Sequence, residues 1–231
     1  MSSMVPEDPR VVAVVAARNE EVTIGRTVKA LLGVAAIDQV VVVADGSQDR
    51  TAEEALAAGV RVLARPRAVG KGGAIEAALE RSAQADVYVL VDGDVGDSAS
   101  EAELLLAEVL AGRFDLAIGK FPPQPGGGFG MVKRFATWWI RALTGFGAEE
   151  ALSGQRAARR EVLDACRPLA ARFGLETAMT IDALRLGFRV GEVPVNMTHR
   201  ATGRGPAGYL HRAGQGLDIL LAVLPRASRL R

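Results

Sequence analysis

The chain has 231 residues, of which 49 % are hydrophobic, 24 % charged and 5 % aromatic. That length supplies the core of one domain, and that composition excludes wholesale disorder. Lys and Arg number 28 against 27 Asp and Glu, a net charge of +1, which argues against a dedicated nucleic-acid binder.

Residues 1–10 carry Glu7 and Asp8 and no apolar run, so they do not read as a signal peptide. Residues 11–17 are a β-branched apolar run, expected as a buried strand. Asn19 is placed to cap a helix over 21–32. A second strand is expected at 39–44, and Thr51-Ala-Glu-Glu54 has the form of a capping box opening a helix to 58. Further strands at 60–64, 87–91 and 116–119 alternate with helices at 73–83 and 100–111. This alternation predicts an α/β fold, a mostly parallel sheet with helices on both faces. Ligands then bind beyond the carboxyl ends of the strands.

The second half is less regular. Residues 121–130 hold three Pro and four Gly and read as a loop. Residues 132–143 read as a helix carrying Trp138 and Trp139, and 145–156 as irregular. Helices are expected near 160–166 and 176–186, a strand at 190–195, a glycine-rich loop at 201–208 and a last helix at 209–224. Cys166 stands alone, which excludes an intrachain disulfide and points to a reducing compartment. From His199 onward six Arg accompany one acid, Asp218. Two readings of this basic tail stand: an anionic partner, such as a phosphate or a membrane surface, or a solvated helix face. No apolar run approaches the ~18 residues that span a bilayer. The expected location is cytoplasmic, at most peripheral at the cytoplasmic membrane face.

The chemistry gathers at the strand ends. Strand one runs into Ala17-Arg18-Asn19-Glu20, strand two into Asp45-Gly46-Ser47, strand three into Gly70-Lys71-Gly72-Gly73, and strand four into Asp92-Gly93-Asp94. Carboxylates such as Glu20 and Asp45 accept hydrogen bonds from a base or ribose. Glycines let backbone N–H groups approach phosphates, and Lys71 adds a point charge. Asp92 and Asp94, one residue apart, repel unless a cation sits between them, and Mg²⁺ or Mn²⁺ on a diphosphate resolves this. A glycine-rich loop or an Asp-x-Asp alone is as often an ordinary turn. The signal is their order, one at each strand end.

Together these segments resemble the family 2 glycosyltransferases of the GT-A (nucleotide-diphospho-sugar transferase) fold. Gly70-Lys71-Gly72-Gly73 resembles dolichyl-phosphate glucosyltransferases and glucosyl-3-phosphoglycerate synthases. Lys133-Arg134, Leu152-Ser153-Gly154-Gln155-Arg156-Ala157 and Glu192-Val193-Pro194-Val195 resemble polyprenyl-phosphate sugar transferases. Phe173-Gly174-Leu175-Glu176 with Ile181-Asp182 resembles the phosphoglycerate synthases. The resemblance implies one domain over 1–231: a nucleotide-sugar half (1–120), an acceptor half (121–205) and a basic amphipathic C-terminal helix (206–231). It implies that Ala17, Asn19, Glu20, Asp45, Ser47, Lys71, Asp92 and Gly93 line the nucleotide-sugar site. It implies Asp92 and Asp94 as metal ligands, with His199 either a third ligand or a phosphate-side hydrogen-bonding group. Arg134, Ser153, Arg156 and Arg200 fall to the acceptor phosphate, and Arg204 to that phosphate or the leaving diphosphate. Asp94, Glu176 and Arg204 are the catalytic candidates, and Asp182 a structural pair or an acceptor contact. One departure stands out: Ala44 replaces the first of two aspartates that the family writes before Gly-Ser.

The implied reaction moves a hexose, glucose from UDP-glucose foremost, to a phosphate-bearing acceptor. A phosphate needs no general base, because its second pKa is near ~6. A polyprenyl phosphate and a small soluble phosphorylated acid both fit. Trp138, Trp139, Leu217, Ile219, Leu220, Leu221 and Leu224 suit a membrane surface; alternatively they pack on the sheet, Leu220 and Leu224 above all. The apolar tail helix also offers a route to a homodimer. The rival readings are a nucleotidyltransferase, which places a basic glycine loop directly after strand one, and a degenerate nucleotide-binding module, which Ala44 keeps open. A dinucleotide-binding fold lacks its Gly-x-Gly-x-x-Gly here.

Overall fold

The computed structural model describes residues 6–81, 84–122, 130–198 and 206–227, the side chains of 206–213 excepted. Among these residues seven strands form one sheet: β1 (Val11–Ala17), β2 (Gln39–Asp45), β3 (Arg61–Arg65), β4 (Val87–Asp92), β5 (Leu116–Lys120), β6 (Arg156–Arg159) and β7 (Val190–Pro194). Their order is β3-β2-β1-β4-β6-β5-β7. All neighbours run parallel except β6, which is antiparallel to both β4 and β5. The winding reverses between β1 and β4, with Val14 opposite Val41 on one side and Leu90 on the other. Such a reversal opens a crevice at the carboxyl ends of the two strands. The segments after Ala17 and Asp92 therefore border that crevice.

The helices are α1 (Ile24–Leu32), α2 (Thr51–Ala57), α3 (Lys71–Arg81), α4 (Ala102–Leu110), α5 (Gly130–Thr144), α6 (Arg160–Ala165), α7 (Leu175–Arg185) and α8 (Pro206–Ala227). Strand alternation divides the core. Val11, Ala13 and Val15 of β1 pack with Ile24, Val28 and Leu31 of α1 and Leu105 and Leu106 of α4. Val12 and Val14 face the other way, onto Ala74, Ile75 and Ala78 of α3 and Leu175 and Met179 of α7. Buried on both faces, β1 needs the unbroken apolar run that marks it in the sequence.

Three expectations are corrected. β6 falls where an irregular segment and the approach to a helix were expected. Its sequence, Arg-Ala-Ala-Arg, has neither β-branched residues nor alternation. It is a strand because its neighbours make it one: Arg159 is fastened to Asp115, 3.2 Å away, at the start of β5. Asn19 does not cap α1, which starts after Thr23 without a side-chain cap. The Thr51 box is absent too, the N-cap of α2 being Arg50.

The tail helix packs on helices rather than on the sheet. Ile219 and Val223 of α8 are fully buried with Ala136 and Ile140 of α5 and Ile181 of α7. Leu224, expected to pack inward, is 48 % exposed, and Leu220 is half-buried. Arg226 clamps α8 to α7 through Asp182, with Nε at 2.8 and 2.9 Å from the two carboxylate oxygens. Asp182 is thus a structural pair, one of the two roles expected of it.

Candidate active site

The loops after β1 and β2 are laced together by side chains meeting backbone. Asn19 takes a left-handed conformation (φ 57°), which asparagine tolerates. Its N–H donates to Ser47 Oγ (3.2 Å), and its Oδ1 accepts from Gln48 N–H (2.9 Å). Glu20 N–H donates to Thr51 Oγ1 (2.8 Å), and Glu21 N–H to Asp49 Oδ2 (3.1 Å). Burial works against the Asp49 charge, but the Thr51 hydroxyl and the N–H groups of Glu21 and Thr51 hold its carboxyl below the usual range. Asn19, Ser47 and Thr51 therefore set the shape of this rim. Ala44 lies just beneath it, 2 % exposed and in register with Ala17 and Ala64.

Asp45, expected to face a base or ribose, is 5 % exposed. Its Oδ2 accepts N–H from Val69 (3.0 Å) and Gly70 (2.8 Å), and its Oδ1 accepts from Val69 (3.0 Å) and lies 3.6 Å from Arg65 Nε. This carboxylate fixes the loop that delivers Lys71. Gly46 allows the loop to close, since a Cβ there would meet Ala68 N at 2.5 Å, and its φ of +69° favours glycine as well.

Lys71 opens α3 and reaches across to β4. Its ammonium is paired with Asp92 Oδ1 and lies 3.1 Å from Glu176 Oε1 at the start of α7. Burial disfavours that charge, but Asp92 and Glu176 outweigh it and hold Lys71 above the usual lysine range. Gln155 completes the cluster. Its Nε2 donates to Asp92 Oδ2 (2.9 Å), and its Oε1 accepts from Asp92 N–H (3.1 Å). Gly154 leaves the space: a Cβ there would stand 2.0 Å from Lys71 Nζ and 2.3 Å from Asp92 Oδ2. Glu176 is 6 % exposed, so its carboxylate serves this ion pair. Gln155 had no role from the sequence; its place in the Leu152–Ala157 run was the available signal.

Behind Asp94 stands another residue without a role from the sequence, Thr27. It is fully buried on α1. Its hydroxyl donates to Gly93 O (3.0 Å) and accepts from Gly96 N–H (2.9 Å). Gly93 N–H donates in turn to Ala16 O of β1 (3.0 Å). The Asp92–Asp94 turn is thereby tied to both β1 and α1. Asp94, half-buried, borders a cleft of about 300 Å³ that also touches Thr23, Arg26, Ser98 and Thr198. Thr198 is held there by Ser98, whose Oγ accepts its N–H at 3.0 Å. His199, Arg200 and Arg204 lie outside the described residues.

The remaining acceptor candidates separate. Arg134 is exposed on α5, whereas Ser153 and Arg156 are 3 % and 1 % exposed. Arg156 Nε donates to Ser153 O (2.9 Å) and its NH1 to Thr180 Oγ1 (3.1 Å). Burial lowers its pKa to about 10, against the pull of Glu176 foremost. Arg156 is therefore a buried cation within electrostatic reach of Glu176, fixed by Ser153 and Thr180. Its NH2 and the Ser153 hydroxyl have no hydrogen-bond partner among the described residues.

The site thus joins glycine-rich, lysine and carboxylate groups from the ends of β1, β2 and β4 and the starts of α3 and α7 around one crevice. Glycosyltransferase AglJ of Haloferax volcanii is 30 % identical over 169 residues, covering 71 % of this chain and 55 % of AglJ. The polyprenol monophosphomannose synthase of Mycolicibacterium smegmatis is 34 % identical over 182 residues, 71 % of this chain and 68 % of that one. The chain thus spans about half the length of the first relative and about two thirds of the second. The glucosyl-3-phosphoglycerate synthase of Mycobacterium tuberculosis, solved with Mn²⁺, UDP and glucosyl-3-phosphoglycerate, superposes with a TM-score of 0.81 at 26 % identity. That match covers 94 % of this chain and 80 % of the synthase. Residues 12–165 match Glycosyl transferase family 2. The architecture is that of GT-A enzymes, and the chain belongs to glycosyl transferase family 2.

Proposed function

We propose that this glycosyltransferase moves glucose from UDP-glucose to a polyprenyl phosphate. The observation that carries the reading is the Lys71 ammonium held between Asp92 and Glu176 at the crevice, packed so closely on Gly154 that no side chain fits there. A sugar seated on the outer edge of this cluster, where the Asp92 side chain is one-third exposed, meets a carboxylate acceptor and an ammonium donor, which orient its hydroxyls. The rim of Asn19, Glu20 and Ser47, with the loop that Asp45 holds, receives the nucleoside. The reacting carbon then lies between this cluster and the Asp94 cleft.

Asp94 fits a divalent cation, and Asp92 would join it on giving up Lys71 or Gln155, which hold its two oxygens. Mg²⁺ and Mn²⁺ take one or two carboxylates, waters and substrate phosphate oxygens, and Asp94 presents a carboxylate at an open cleft beside Asp92. Asp92 and Asp94 would hold the cation together with the diphosphate, with His199 as the further candidate. When bound, the metal neutralises charge on the departing nucleoside diphosphate. Arg204 is proposed to stabilise the same charge.

Glu176 is spent on Lys71, so it positions the sugar rather than taking a proton. A phosphate acceptor needs no base to remove a proton, because its oxygen is already anionic. Arg134 and Arg200 are proposed to receive that phosphate, with Ser153 and Arg156 supporting the floor. The likeness to the solved synthase supports a second reading, transfer to a small soluble phosphorylated acid. Incubation with radiolabelled UDP-glucose, Mn²⁺ and either a polyprenyl phosphate or 3-phosphoglycerate decides between them. Label in the lipid phase supports the first reading, label in a soluble anionic product the second, and label in neither removes both.

A further inference from the structure

Two adjacent helices each carry an apolar stripe that no other described residue covers. On α8, Leu217, Leu221 and Leu224 are 56 %, 59 % and 48 % exposed and recur at the spacing of one helix stripe. On α5, Trp138 is 58 % and Met131 85 % exposed. The opposite faces of the same helices are buried together through Ala136, Ile140, Ile219 and Val223. Elsewhere large exposed apolar residues fall one by one on separate elements, as at Leu32, Leu56 and Leu104, the ordinary pattern of a monomer surface.

The charges on this face choose its partner. α5 has no acidic residue and three cations. Lys133 is taken by Glu150 at 2.6 Å. Arg134 and Arg141 are exposed, flank Trp138, and have no ion pair or hydrogen bond among the described residues. The two helices carry one acid, the half-buried Asp218 of α8, so a second copy seated symmetrically on this face would bring more arginines than acids to it. An anionic bilayer meets both needs: its headgroups pair with the arginines, and its acyl boundary takes up the leucines and the tryptophan.

We infer that the exposed faces of α5 and α8 form a docking surface for an anionic lipid bilayer. The inference stands apart from the choice of acceptor, because it concerns the headgroups and not the glycosylated phosphate. The surface lies on the same helix as Arg134, so docking would carry that residue to the membrane boundary.

Flotation with vesicles tests it. The protein is expected to float with phosphatidylcholine vesicles containing phosphatidylglycerol, to remain behind with pure phosphatidylcholine, and to be released as salt rises. Leu221→Ser with Trp138→Ser, and separately Arg141→Glu, should each lower recovery by at least about tenfold, with UDP binding by calorimetry unchanged. Failure of the wild-type protein to float on anionic vesicles overturns the inference. So does a wild-type dimer in sedimentation that the same substitutions dissociate, which would give the face to a second copy. No acceptor is present in these vesicles, so neither result bears on the transfer reading.

Discussion

Lys71 and Glu176 meet at 3.1 Å, joining the first turn of α3 to the first turn of α7. The first lies in the first half of the chain and the second in the second half. Asp92 holds the same ammonium, so one positive charge fastens both halves across the crevice. Removing it should leave two carboxylates facing each other. Lys71→Ala is expected to cost about 2–4 kcal/mol, the value for a broken buried pair discounted because Asp92 is one-third exposed. Glu176→Gln should cost less, since a neutral partner remains. Urea unfolding of the three proteins measures this order, and an unchanged midpoint in Lys71→Ala would contradict it.

Gly154→Ala tests the space beside that pair. The added methyl would stand 2.0 Å from Lys71 Nζ, so the ammonium must leave its carboxylates. We expect transfer to fall about a hundredfold, the usual consequence of a displacement near 1 Å in a site. Far-UV circular dichroism should be unchanged. A variant with wild-type turnover would show that the lysine is not needed where it stands.

Thr27 should matter to Asp94 without touching the substrate. Thr27→Val keeps the volume but leaves Gly93 O and Gly96 N–H unpaired in the interior, at about 1–3 kcal/mol. Thr27→Ser retains the hydroxyl and should recover most of the loss. Mn²⁺ affinity in the presence of UDP is the telling readout, expected to weaken about tenfold in the valine variant alone. Equal weakening in both variants would indicate a packing role instead.

Acid stability should depend on Asp115. Burial opposes its charge, but Arg189, with Nε at 3.0 Å and NH2 at 2.8 Å, and then Arg159 hold its pKa down to about 2. A depressed carboxyl stabilises the fold above its unfolded value near ~4, and that contribution is lost as pH falls from about 4 to about 2. The difference amounts to about 2 kcal/mol. In Asp115→Asn the slope of stability between those pH values should flatten by that amount, while stability at neutral pH drops. An unaltered slope would remove Asp115 from the account.

Much of this was legible before any coordinates. The β-branched runs at Val11–Ala17 and Val87–Asp92 carry no polar residue before their last position because both faces of those strands are buried. The polar clusters after them fall at the winding reversal, as a doubly wound sheet requires. β6 was not legible, because its two alanines carry no strand preference and its conformation comes from backbone pairing with β4 on one side and β5 on the other. Asp45 was read as a substrate contact because its anchoring role exists only once the loop at Val69 and Gly70 closes over it. Thr27 sits on the buried face of α1 beside Ile24, Val28 and Leu31, where sequence periodicity does not distinguish a bridging hydroxyl from packing. The inward packing expected of Leu224 failed because α8 rests on α5 and α7, which changes the face that is buried.

A metal-assisted nucleotide-sugar site at Asp92 and Asp94 is open to direct test by calorimetry. UDP-glucose and GDP-mannose are titrated into wild-type protein and Asp94→Ala, each with and without Mn²⁺. The account predicts Mn²⁺-dependent binding of UDP-glucose in preference to GDP-mannose, lost in Asp94→Ala while the thermal transition is kept. Binding that ignores both the metal and the substitution, or no binding of either donor, would contradict it.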